Sequence, residues 1–167
     1  MNKVSKRNFF IMASIVGLLM GMLTGCGIGK EMPEGKLLSM EYTRSGSMSG
    51  YQYETRVTTE DNGDVVLRAM KEEYGPLYEK KLTKEEIAGF VKIMEEEGMY
   101  KYKERYKPLL KVLDGTSWHF EARFEQGEIY SGGYHAWPKG DGLQRIKDYS
   151  ISLLDDAQQI VQEREEE

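Results

Sequence analysis

Trp118, Phe120, Ala122 and Phe124 stand at every second position of one short segment, and His119, Glu121, Arg123 and Glu125 fill the gaps. Successive side chains of an extended chain point to opposite faces. A period of two therefore puts the apolar groups on one side and the polar groups on the other. The same pattern recurs upstream. Leu38, Met40 and Tyr42 alternate with Ser39 and Glu41, and Tyr51, Tyr53, Thr55 and Val57 alternate with Gln52, Glu54 and Arg56. Val65, Leu67 and Ala69 repeat it once more. A chain with several such two-sided strands has to build a sheet with one face on a core and the other in water, the habit of antiparallel sheets.

The turns between these runs agree. Asp61-Asn62-Gly63 supplies residues that tolerate the positive φ angles of a tight hairpin. Residues 45–50 read as a loop, and a shorter fourth strand is expected over 77–82, after Gly75-Pro76. Asp114-Gly115 leads into the Trp118 strand, and Glu125-Gln126-Gly127 reverses it into a partner over 128–134.

Two stretches change period. Thr83, with Glu86 three residues later, forms a capping box. Ile87, Phe90, Val91 and Met94 then fall on one helical face, and Gly98 marks the end. Asp141 is expected to cap the last helix, with Gln144 as its box partner and Ile146, Leu153, Leu154, Ala157, Ile160 and Val161 on its apolar side. The acidic run over 163–167 reads as a solvated tail. The fold expected is α+β, an antiparallel sheet of about five to six strands packed against two amphipathic helices.

The first residues belong to a different kind of segment. Lys3, Lys6 and Arg7 precede a run over 9–23 that carries no charge. At ~1.5 Å rise this run would reach about 22 Å as a helix, short of the ~30 Å hydrocarbon core of a bilayer. A basic start and a short apolar run read as a secretory signal peptide. Leu23-Thr24-Gly25-Cys26 ends it and resembles the lipobox of bacterial lipoproteins. That resemblance implies cleavage before Cys26 and a diacylglyceryl group on its sulfur. Each buried CH₂ adds ~0.8 kcal/mol, so two or more acyl chains hold stably where one does not. The expected division is 1–25 signal peptide, 26–36 lipidated Cys26 and a Gly/Pro-containing flexible tether, and 37–167 a single α+β domain. The expected location is extracytoplasmic, on the cell membrane.

Cys26 is the only cysteine, so no disulfide, thiolate metal site or cysteine nucleophile is expected in the domain. Of 23 basic and 28 acidic residues, three basic ones and no acid precede Cys26, which leaves the remainder at a side-chain charge of −8. That balance argues against non-specific nucleic-acid binding and against wide adhesion to anionic lipid. The domain is also too small for the two lobes of a solute-binding transport component.

The C-terminal half is similar to a group of small, functionally uncharacterised bacterial lipoproteins found notably among Firmicutes. The residues that carry the similarity are Asp114-Gly115-Thr116-Ser117-Trp118, the strand from Phe120 to Phe124, Ser131-Gly132-Gly133-Tyr134, and Trp137-Pro138 before the last helix. Where the group often has Asn between glycine and proline, this chain has Tyr134, His135 and Ala136. The resemblance brings no catalytic residue with it.

The remaining candidates are few. His119 and Glu121 supply at most two ligands, so a solvated strand face is the expected setting and no metal site is assigned. His135 has no serine or aspartate placed by motif to make it a general base. Lys101-Tyr102-Lys103-Glu104-Arg105-Tyr106-Lys107 interleaves cations with rings. It suits lipid headgroups or an anionic polymer such as a teichoic acid, or else Tyr100, Tyr102 and Tyr106 pack against the first helix. Gly132-Gly133 lacks the spacing of a phosphate loop and suggests a bulge or bend.

No catalytic, cofactor-binding or metal-ligating residue is assigned, no cofactor is expected, and the chain is read as not an enzyme. The expected function is a membrane-anchored, non-enzymatic binding or protein-interaction module. Its candidate binding edge is Tyr134, His135 and Trp137, on the connection between the last strand and the last helix. The competing reading of that edge has Trp137 closing the core and Pro138 fixing the turn. The alternatives for the whole are an inhibitor or immunity-type lipoprotein, or a small cell-envelope hydrolase that would use His135 with nearby carboxylates.

Overall fold

The computed structural model describes residues 30–46, 50–110, 112–155 and 157–159, the side chain of Tyr51 excepted. They belong almost wholly to Glu31–Glu167, one of two units into which the chain divides. The elements are β1 (Glu34–Gly46), β2 (Gly50–Thr59), β3 (Val65–Met70), β4 (Leu77–Lys81), α1 (Lys84–Glu96), β5 (Arg105–Tyr106), β6 (Ser117–Tyr134), α2 (Gly142–Ser152) and β7 (Gln158–Gln159). The strands form one seven-stranded sheet in the order β5-β6-β1-β2-β3-β4-β7. Every pairing is antiparallel except β5 with β6, which is parallel.

Register carries the alternation across the sheet. Met40 lies between Val57 and Ala122, and Tyr42 between Thr55 and Phe120, and all six side chains are buried. One residue over, Glu79, Arg68, Arg56, Glu41 and Glu121 face one another in sequence across five strands on the other side. Arg68 pairs with Glu79 at 2.8 Å and Glu60 at 2.9 Å, and Arg56 with Glu41 at 3.3 Å. Two of the four facing pairs, Glu79 with Arg68 and Arg56 with Glu41, are opposite in charge and two, Arg68 with Arg56 and Glu41 with Glu121, are alike, so the charges keep this open face solvated while exposed pairs add little stability each. Gly63, at φ 85°, turns the β2–β3 hairpin where a residue with a side chain would be strained.

β6 does not run straight. The backbone N–H of His135 donates to the carbonyl of Thr116 at 2.8 Å, and the rings of His119 and Tyr130 lie 5.1 Å apart. Eighteen extended residues would instead separate their ends by about 60 Å. The segment therefore doubles back near Gly127, whose φ is 104°. Burial changes phase there, from the even positions 118 to 124 to Ile129 and Ser131. The first arm pairs with β1 and the returning arm with β5.

Both helices cover the buried face. Thr83 and Glu86 make both bonds of the capping box at the start of α1. Phe90, Ile93 and Met94 are buried along α1, with Ile87 and Val91 half-buried beside them. α2 presses on β2, where Thr55 donates to Ser150 at 3.0 Å. The helices meet through Phe90 and Tyr149, with rings 4.8 Å apart, and Arg145 reaches Glu97 at 2.6 Å and Glu96 at 2.8 Å.

The α+β class holds, with these differences. The sheet has seven strands rather than five to six, because β5 and β7 are two-residue strands with no periodic signal. β1 takes in Glu34, Gly35 and Lys36, which the sequence reading gave to the tether. The register shifts between Leu37 and Ser39, so Leu37 is buried and Leu38 is 44% exposed, the reverse of the simple alternation. Asp141 is the N-cap residue of α2 but makes no capping bond, and Gln144 instead donates to Asp148. α2 ends at Ser152, where a tightened last turn places Leu154, fully buried, beyond the helix together with Ala157. The signal peptide, Cys26, Ile160, Val161 and the acidic tail lie outside the described residues.

Candidate functional site

Tyr134, His135 and Trp137, proposed as one edge, fall into three different settings. Tyr134 is half-buried. Its hydroxyl accepts from the backbone N–H of Gly115 at 2.9 Å and donates toward the carbonyl of Leu113 at 3.2 Å, so it holds down the end of the 107–115 loop. His135 is exposed and has φ 46°, a left-handed conformation uncommon for a residue with a side chain. Its ring lies 5.9 Å from that of Trp137. Trp137 is 41% exposed and lines a hollow of about 300 Å³ with Tyr42, Arg44, Asp141 and Gln144. Trp137 therefore does not close the core. Trp118 does, at 3% exposure.

The turn that separates them is locked from beneath. The Trp118 indole N–H donates to the Ala136 carbonyl at 2.7 Å. Gly133 makes that approach possible, since a Cβ there would lie 2.4 Å from the Ala136 oxygen and 2.5 Å from Trp118 Nε1. The glycine pair thus serves close packing where the chain leaves the sheet.

The larger concavity lies on the opposite side of Tyr134. It is an open groove of about 890 Å³ lined by the segment 104–110, with Tyr106, Pro108, Leu109 and Leu110, and by His119, Tyr130 and Tyr134 of the doubled β6. The sequence explains its placement. β5 is pinned to the returning arm because Ser131, fully buried, donates to the carbonyl of Lys103 at 2.7 Å, and the N–H of Gly132 to that of Glu104 at 3.0 Å. Tyr106 packs its ring 5.8 Å from Trp118 and 6.5 Å from Tyr102, which anchors the segment to the core. Tyr102 is buried, and burial pushes its phenol up to about 12. Tyr102 and Tyr106 pack inward, Tyr106 against Trp118 of β6 rather than the first helix, while Lys103, Arg105 and Lys107 are exposed.

Electrostatically the groove is mixed. Arg105 and Lys107 make no ion pair among the described residues, and Glu104 is the acid beside them. His119 edges Tyr130 and lies 3.5 Å from Glu121, which also pairs with Arg123. Among the described residues no group of three or more His, Cys, Asp or Glu gathers as a metal site, and no helix is long and apolar enough to cross a membrane.

Tyr130, His119 and the 104–110 segment were not assigned to a site from sequence. The available signal was Pro108-Leu109-Leu110 with Leu113, apolar residues that fit neither a strand nor a helix period. No family model matches the chain, and neither a curated protein nor a solved structure matches it.

Proposed function

We propose that this chain is a lipid-anchored, extracytoplasmic binding module, and that the groove beside β5 is its binding surface. The anchor rests on the basic start, the apolar run and the Leu23 to Cys26 sequence. The observation that carries the binding role is the groove itself: about 890 Å³ of open space with tyrosine rings on the β ribbon and, along its rim, Arg105 and Lys107, which make no ion pair among the described residues. Aromatic rings give large contact area at little entropic cost, and free guanidinium and ammonium groups supply orientation. The reading is non-enzymatic. Tyr130, 48% exposed at its centre, takes over from Trp137 as the residue expected to meet the ligand.

A photo-crosslinking amino acid at Tyr130, in cells carrying the full chain, tests this. The reading expects a discrete crosslinked species that is absent when the same group replaces exposed Glu85 on α1. Identical patterns from the two positions would overturn it.

A further inference from the structure

Leu109, Leu110 and Leu113 are 103%, 80% and 81% exposed, three large apolar side chains in full contact with water on one loop. Scattered apolar residues on a surface need no explanation, but three within five positions do. The loop is built to present them. Tyr106 fixes its start against Trp118, and the Tyr134 hydroxyl fixes its end at Leu113 and Gly115. Between Lys101 and Asp114 the sequence holds five basic residues and two acids, Glu104 and Asp114, in a domain that is acidic elsewhere. Lys103, Arg105 and Lys107 make no ion pair among the described residues.

We infer that this loop inserts its leucines into the interfacial region of an anionic membrane, with the cations at headgroup level. Apolar side chains beside basic ones are the composition of interfacial membrane contacts. Each Lys or Arg near an anionic leaflet adds to the attraction. A protein partner fits less well. Energetic centres of protein interfaces are Trp, Tyr and Arg in packed pockets, where leucine is under-represented.

Topology gives the contact a role, and here the inference rests on the anchored reading. β1 starts at Glu34, eight residues after Cys26 in sequence, and its far end pairs Ser45 with Ser117. The leucine loop lies at that far end, joined through Gly115 and Thr116. Thirteen strand residues separate the two ends by about 40 Å. A lipid on Cys26 and a contact at the leucine loop would give the chain two attachments to the same membrane.

The test uses the full lipoprotein carrying Leu110→Cys labelled with a nitrobenzoxadiazole dye, in vesicles of phosphatidylcholine with about a third phosphatidylglycerol. Glu85→Cys is the control position. The inference expects a blue-shifted emission at Leu110→Cys that is lost when doxyl-labelled lipids are included, and neither effect at Glu85→Cys. Water-like emission at Leu110→Cys overturns it. A blue shift without doxyl quenching also overturns it, because the loop is then covered by protein, either a partner or a second copy. Dye uptake by the parent chain would report a free Cys26 thiol and a failed anchor reading, while the difference between the two labelled positions still reads the loop.

Discussion

The indole N–H of Trp118 donates to the carbonyl of Ala136 at 2.7 Å, joining the first arm of β6 to the turn that follows its returning arm. This bond holds the connection to α2 in place and separates Tyr134, facing the groove, from Trp137, facing the smaller hollow. Gly133→Ala puts a Cβ into that contact. Overpacking of this kind costs about 1–3 kcal/mol, to be read as a lowered midpoint in a denaturant melt.

The two tryptophans should separate in the same measurement. Trp118 is 3% exposed, so Trp118→Ala is expected to cost ~3–5 kcal/mol. Trp137 is already 41% exposed, and Trp137→Ala should cost no more than about 1 kcal/mol. Equal losses would contradict the placement of Trp137 outside the core.

The helix starts make a second pair. Thr83→Ala removes a capping bond that is present and should cost ~1 kcal/mol, whereas Asp141→Ala removes none and should stay within about 0.5 kcal/mol. Thermal melts of both variants beside the parent chain give the comparison.

Alkaline pH should unfold the domain through its tyrosines. Burial pushes the phenols of Tyr42 and Tyr102 up to about 12 and also raises that of Tyr53. The folded state therefore keeps protons that the unfolded chain gives up near its ordinary value of 10. The stability these groups contribute is complete below pH 10 and is lost as pH rises from there through about 12. Absorbance of ionised tyrosine should rise in two steps, the later one coinciding with loss of the circular dichroism signal. A single step in a still-folded protein would contradict the burial.

Much of the sheet was legible because its signal is local. Met40, Val57, Phe120 and Ala122 alternate wherever one face is buried, and Asn62-Gly63 names its own turn. The capping box at Thr83 was legible for the same reason, since both partners lie within four residues. β5 was not legible, because Arg105 and Tyr106 are held by Ser131, Gly132 and Gly133, more than twenty residues away. Leu38 misled because a register shift moves a side chain to the other face without changing composition. Of the candidate edge, His135 and Trp137 are exposed with rings 5.9 Å apart, while Tyr134 is half-buried against Gly115, and the Trp118 contact beneath this turn is a tertiary event that no local pattern encodes. The groove depends on where the 104–110 segment docks, which no period in that segment encodes.

The anchor is tested at Cys26 itself. Cys26→Ala should abolish incorporation of a metabolic fatty-acid probe and release the chain from its membrane attachment to the extent that the lipid alone holds it. Undiminished labelling of the variant would remove the lipidation reading.

The most direct measurement of the central claim compares two chains recovered from native envelopes after crosslinking from Tyr130, one otherwise unchanged and one carrying Arg105→Ala and Lys107→Ala. Both cations are exposed at the groove rim, so the fold should survive their loss, as a melt will show. The account predicts one crosslinked species for the parent and a severalfold weaker yield for the variant at equal stability. Equal yields from both chains, or no species from either, would contradict a ligand-binding groove beside β5.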